Sequence, residues 1–384
     1  MKISKTAGLI NQSLTRELFD KAKTYDDVID FTLGDPDFPT PQKIREAGCK
    51  AINNGKINYS ENAGLPELRD EIAKKIKREC GISYNPKNEI IATVGAMQGL
   101  LLCLECILNE GDEVIIPAPY WINYRQMVQM CKGKPVIIDA YESDDFVIKA
   151  EAVKNAITNR TCAIILNSPN NPTGAVYNRK TLDEILKLAK ENDILIIWDE
   201  CYKSLVYEEE FAPLLTSQKD KDSVILVNSC SKEYAMTGWR LGYIAANSEI
   251  ICAMTALQEN MVACAPLVSQ YAAIEAFRCD SSINEDMREC FKRRRDLFVN
   301  GINEIQKLSC RMPKGTFYAM VNIKQTGLDS VQFANTLLEK KQVAVVPGIT
   351  YGDCCEGYVR VAYTISEEKI SEGIKRISEF IKEL

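Results

Sequence analysis

The chain has 384 residues, a formal net charge of −6, 46% hydrophobic residues and 26% charged residues. That length leaves room for two or three domains, and the acidic balance argues against a nucleic-acid partner, which needs a basic face. Histidine is absent, so Ser-His-Asp and Cys-His catalysis, histidine-ligated metals and a histidine general base are excluded.

The start, Met1 to Lys5, leads into no apolar signal segment, and no apolar run approaches the ~20 residues of a membrane span. No membrane association is expected. Fifteen cysteines are scattered singly through apolar runs, the pattern of reduced thiols in a cytoplasmic protein. The single C-x-x-C, Cys103 to Cys106, lies in a helical pattern with no second pair, so no metal site is expected.

Residues 1–30 read as a polar arm with a helix-like segment near Leu14–Lys23. Gly34, Asp35, Pro36, Asp37, Phe38, Pro39, Thr40 and Pro41 follow, and three prolines make this a rigid loop. It is either a connector or a place where the Gly34 backbone approaches a ligand. A helix is expected over Gln42–Asn53 and another from Pro66 to Ile76, with proline in the first turn. Between them lies Tyr59, which taken alone reads as a packing residue.

From Glu89 onward apolar runs alternate with helical periodicity. Strands are expected at Glu89–Val94, Glu113–Ile116, Pro135–Asp139, Cys162–Asn167, Ile194–Asp199, Ser223–Asn228 and Gly242–Ala246. Helices are expected at Ala96–Leu108, Tyr120–Cys131, Ala150–Ile157 and Thr181–Lys190. Buried strands alternating with helices imply an α/β fold, a mainly parallel seven-stranded sheet covered on both faces. Ligands gather at the carboxyl ends of such strands. There the sequence places Gly95, Ala96 and Met97, whose turn into a helix offers backbone N–H groups to an anion. Trp121 follows the second strand, as a ring to stack on or as core. Asn171 follows the fourth. Asp199 and Tyr202 end the fifth, where a bare carboxylate needs a cationic partner, or else caps a helix.

The sixth strand turns through Ser229 into Lys232, with Arg240 eight residues on. A lysine at the mouth of a buried strand loses its proton more easily than a surface lysine, which favours the nucleophilic amine. Ser229 and Arg240 can hold a doubly charged phosphate. An amine nucleophile beside a phosphate clamp suggests a Schiff base with pyridoxal 5′-phosphate (PLP); the other reading of these residues is an ordinary strand, turn and exposed lysine. Farther on, a helical stretch is interrupted at Pro266 and resumes toward Arg295. Arg293, Arg294 and Arg295 read as a solvated face. A mixed α+β region then runs from about Leu308, with strands at Phe317–Val321, Val343–Val346 and Tyr358–Tyr363 and helices at Ser330–Lys340 and Glu367–Lys382. Arg360, inside a strand, needs an anionic partner such as an amino-acid carboxylate.

The strings S-C-S-K-E-Y-A-M-T-G-W-R-L-G around Lys232, L-G-D-P-D-F-P-T-P at Gly34, N-S-P-N-N-P-T-G at Asn171, D-E-C-Y at Asp199 and V-R-V-A-Y at Arg360 resemble class I/II aminotransferases of fold type I, nearest their aspartate/aromatic branch. The resemblance implies a large PLP-binding domain over 41–275, a small domain over 276–384 and an arm over 1–40 that joins it. It implies Lys232 as the PLP-bound base, Asp199 on the pyridine nitrogen, Tyr202 and Asn171 on the phenolic oxygen, and Trp121 stacked on the ring. Ser229, Arg240, the backbone at Gly95, Ala96 and Met97, and Tyr59 of a neighbouring subunit would hold the phosphate. Gly34, Trp121, Asn171 and Arg360 would meet an amino-acid or 2-oxo-acid substrate in a homodimer with shared sites. Relatives often tune the pyridine-binding aspartate with histidine. This chain has none, and Tyr124 lies in that region. A C–S β-lyase on the same scaffold and a non-catalytic PLP-binding regulator stay open as alternatives.

Overall fold

The computed structural model describes residues 3–9, 18, 20–208 and 210–384. Half of the helix-like segment near Leu14–Lys23, residues 14–17 and 19, lies outside the described residues. A short strand, β1 (Ile29–Asp30), precedes the main sheet. That sheet contains β2 (Ile90–Thr93), β3 (Glu113–Ala118), β4 (Lys134–Asp139), β5 (Thr161–Asn167), β6 (Leu195–Asp199), β7 (Val224–Ser229) and β8 (Gly242–Ala245), in the spatial order β2-β8-β7-β6-β5-β3-β4. Each expected strand is present within two residues of its bounds.

Neighbours among β3 to β7 pair parallel, while β8 is antiparallel to β2 and β7. The physical reason is the connection. Parallel pairing needs a long crossover, whereas residues 230–241 form a short excursion that returns the chain beside β7 in the opposite direction. The near-continuous apolar strands follow from burial on both faces. Ile164, Leu166, Ile196, Trp198 and Leu226 pack into a core on one face, and Ala163, Ile165, Ile197, Ile225 and Val227 into a core on the other. Successive side chains point to opposite faces, so only an apolar run satisfies both.

Helices start where the local chemistry closes their ends. Asn178, Asn247 and Ser366 each accept the backbone N–H three residues ahead, and Pro66 opens the helix Pro66–Cys80. The expected helix from Tyr120 begins only at Asn123, because Pro119 to Ile122 turn out of β3 first. The stretch after Pro266 is two helices, Leu267–Arg278 and Glu285–Asn303, not one.

A second sheet holds β9 (Ser309–Cys310), β10 (Tyr318–Asn322), β12 (Val346–Pro347) and β13 (Tyr358–Ala362) in the order β12-β13-β10-β9. The run expected as one strand from Val343 to Val346 divides between β11 (Val343–Ala344), paired with β1, and β12. Phe31, Phe291, Phe298, Phe317, Phe333 and Phe380 fill the core behind this sheet. The three arginines are not a solvated face. Arg294 and Arg295 are buried, Arg294 gripping both oxygens of Asp37 at 2.6 and 2.9 Å and Arg295 pairing with Glu208 and Asp296. Arg293 alone is exposed. The Arg294 clamp fixes the Gly34–Pro41 loop against the helix Glu285–Asn303.

Candidate active site

Asn167, Asp199 and Ser229 are the last residues of β5, β6 and β7. Gly95 opens a helix one residue beyond the strand–turn segment of β2, and Gly242 opens β8 at the same edge. A Cβ on Gly242 would sit 2.7 Å from the Ala96 nitrogen, so only glycine lets β8 approach that helix start. Ala96, Met97, Trp121, Asn171, Asp199, Tyr202, Ser229, Lys232 and Arg240 line one cavity of about 200 Å³ at this edge. Sequence reasoning placed all of them at the site.

Asp199 is buried. The Tyr124 hydroxyl donates to its Oδ2 at 2.7 Å, and the Cys201 backbone N–H donates to Oδ1 at 3.0 Å. Burial pushes its pKa up, and the Tyr124 hydrogen bond works against that rise. Among the described residues no lysine or arginine pairs with this carboxylate. Tyr124 itself stands edge-on to Trp121, ring centroids 5.4 Å apart.

Lys232 is partly buried, and its Nζ donates to the Gly34 carbonyl at 2.6 Å. Loss of water lowers its pKa to about 8; Asp35 and Cys201 oppose the shift, and Arg240 and Arg360 add to it. The amine is therefore about a tenth neutral at pH 7, against a few parts in ten thousand for a free lysine. Arg240 adopts a left-handed backbone, φ 52°. A Cβ on Gly95 would lie 2.6 Å from its guanidinium, so glycine there lets Arg240 cross the helix start.

Arg360 is buried on β13. Its Nη2 donates to the Thr32 carbonyl, and its Nη1 reaches Asn171 Oδ1 at 3.4 Å. Its Nε is buried without a partner, and the Tyr318 and Tyr351 rings face the guanidinium at 4.5 and 5.3 Å. Among the described residues no carboxylate pairs with it. Gly34, through the Lys232 contact, and Arg360, through Asn171, thus join the cavity. Tyr59 does not: it is 86% exposed on its own chain.

Three groups at the site escaped the sequence reading. Asn167 Oδ1 holds the Asn171 N–H, Cys201 Sγ accepts from Ser229 Oγ, and the Tyr318 hydroxyl lies 3.2 Å from that of Tyr202. Nothing local signals Tyr318, which lies 116 residues from Tyr202 in sequence.

The residues present fit PLP. A buried carboxylate with hydrogen-bond partners but no counter-charge suits a protonated ring nitrogen, a partly desolvated amine suits an aldehyde, and an arginine beside a helix start suits a phosphate.

The pattern described as "Aminotransferase class I and II" matches residues 26–377. The aspartate aminotransferase of Pyrococcus abyssi is 41% identical over 386 residues, covering 100% of this chain and 99% of the relative. The aromatic-amino-acid aminotransferase 2 of Thermococcus litoralis is 38% identical, again over 100% and 99%. Among solved structures, Thermus thermophilus aspartate aminotransferase with maleate superposes with a TM-score of 0.94 at 36% identity, covering 99% of each chain. The match in sequence and in fold runs over nearly the whole length, and the chain belongs to the class I and II aminotransferases.

Proposed function

We propose that this aminotransferase binds PLP through Lys232 and exchanges the amino group of an L-amino acid of the aspartate, glutamate or aromatic type with a 2-oxo acid. The observation that carries the reading is the pairing of Lys232, held at a pKa of about 8, with the buried Asp199 on one cavity. PLP, when bound, supplies a ring that accepts the electron pair left at the substrate's Cα.

The chain's own residues do the rest. Asp199 keeps a proton on the ring nitrogen, with Tyr124 donating to its Oδ2 to hold it ionised. Tyr202 and Asn171 bind the phenolic oxygen, and Trp121 covers the ring. Ser229, Arg240 and the backbone N–H groups at Gly95 to Met97 hold the phosphate. Arg360 takes the substrate carboxylate; its unpartnered Nε and missing counter-charge support that role. Lys232 would take the proton from Cα and deliver it to the cofactor's C4′ carbon, acting as base and then acid. The 41–275 and 276–384 segments are the large and small domains in this reading. The working form is a cytoplasmic homodimer in which the partner subunit's Tyr59 reaches the phosphate; exposure of Tyr59 on its own chain supports this.

The test is a steady-state panel of aspartate and phenylalanine against 2-oxoglutarate, with glutamate run against oxaloacetate. Parallel double-reciprocal lines with at least one donor are expected. Pyruvate release from a cysteine-like donor without any oxo acid would favour the lyase instead.

A further inference from the structure

Tyr318 belongs to none of the roles above. It sits on β10, two pairs along from the Met320–Arg360 register pair of β10 and β13. It is 3% exposed. Its hydroxyl lies 3.2 Å from the Tyr202 hydroxyl, and either oxygen can donate. Its ring stacks on the Arg360 guanidinium at 4.5 Å. Its hydroxyl also packs against Gly34 so closely that a Cβ there would fall 1.7 Å from the oxygen. Gly34 is the residue whose carbonyl accepts from Lys232. One side chain therefore touches the carboxylate-binding arginine, the phenolic-oxygen tyrosine and the loop that meets the lysine.

We infer that Tyr318 is a positioning residue whose hydroxyl donates to Tyr202 and thereby turns the Tyr202 proton toward the cofactor's phenolic oxygen, while its ring holds Arg360 in place. The inference rests on the PLP reading above. The proton count favours this direction. Two neutral phenols share one hydrogen bond, and a Tyr202 that gives its own proton to a ligand oxygen can only accept from Tyr318. Burial raises the pKa of both phenols, so both remain protonated near neutrality. A donor to Tyr202 also makes Tyr202 the stronger donor in turn, because hydrogen bonds in a chain polarise one another.

The experiment is a pH titration of the visible cofactor band in the PLP-loaded wild type, Tyr318→Phe, Tyr202→Phe and the double variant. Tyr202 stabilises the negative ring oxygen after the neighbouring proton has left, so it lowers the midpoint. Weakening it raises the midpoint. Tyr318→Phe is expected to move the midpoint up by about half a unit or more. It should also lower kcat by about three- to tenfold, the worth of one hydrogen bond, with KM for the amino acid unchanged because the ring stays on Arg360. Tyr318→Leu, which removes the ring, should raise that KM. In the Tyr202→Phe background Tyr318→Phe should add nothing to the midpoint. A folded Tyr318→Phe protein with an unmoved midpoint overturns the inference while leaving the PLP reading intact. A further shift in the Tyr202→Phe background also overturns it, since Tyr318 would then act without Tyr202. A wild type with no visible band overturns the PLP reading, and the inference with it.

Discussion

At the residue scale, the charges at the site are set by what surrounds each group. Lys232 is held at about 8 by loss of water, so the amine is protonated below that pH and neutral above it. The rate at which cofactor-free protein takes up PLP should rise about tenfold per pH unit up to pH 8 and then level off, as followed by the growth of the visible band. A rise continuing past pH 10 would mean an ordinary lysine. Asp199 shows the opposite balance. Burial raises its pKa and Tyr124 pulls it down. Tyr124→Phe removes a hydrogen bond made to the charged form, so the Asp199 pKa rises further, and the acid limb of kcat/KM should move to higher pH. An unmoved acid limb would count against Tyr124 as the group that replaces the missing histidine. Arg360 offers a planar fork stacked between two rings, which a lysine cannot reproduce. Arg360→Lys should cost about 2–3 kcal/mol in kcat/KM, roughly a hundredfold, measured against both the amino acid and the oxo acid.

At the element scale, the residues just after three of the cavity residues are tied together. Glu200 follows Asp199, Lys203 follows Tyr202 and Glu233 follows Lys232. Lys203 pairs with Glu200 and, at 2.6 Å, with Glu79; Lys75 pairs with Glu79 and Glu233, each at 2.6 Å. Trp198 Nε1 and Asn228 Nδ2 donate to the oxygens of Glu200 at 3.0 and 3.1 Å. The helix Pro66–Cys80 is thus bolted to the carboxyl ends of β6 and β7. Removing Lys75 leaves the buried Glu233 carboxylate without its ion-pair partner. Lys75→Met should therefore cost about 3–5 kcal/mol of stability, read as a lowered urea midpoint. A midpoint unchanged from wild type would mean that water or a proton compensates Glu233. The sequence made the strands and most helices legible because their patterns are local: apolar runs for buried strands, helical spacing of apolar residues and a first-turn proline for helices. It missed the pairing of Arg294 with Asp37, because a run of three arginines on a helix looks solvated until the loop at Gly34 is folded against it. It missed the division of Val343 to Val346 between two sheets for the same reason, since both halves are equally apolar.

At the scale of the whole molecule, the site is a product of chain ends brought together. Asp199, Tyr202, Lys232 and Asn171 could be read as site residues because each lies at, or within four residues past, the carboxyl end of a strand of one sheet. Tyr318 could not, because its place depends on how β10 and β13 sit over that sheet. The exposure of Tyr59 carries a test of the shared-site homodimer. Neither Tyr59→Ala nor Lys232→Ala homodimers should work well. A mixed dimer, however, contains one site with an intact Lys232 and the partner's Tyr59 intact, so mixing the two variants should restore part of the activity. No recovery in verified mixed dimers would contradict the shared site. The central claim is that Lys232 carries PLP for amino-group transfer. The most direct measurement is the visible spectrum of the PLP-loaded protein titrated with a single amino acid, without oxo acid, beside Lys232→Ala. The account predicts a Lys232-dependent band that is lost in one-to-one proportion as the amino acid becomes its oxo acid. A band that forms equally well in Lys232→Ala, or one that no amino acid discharges, would contradict it.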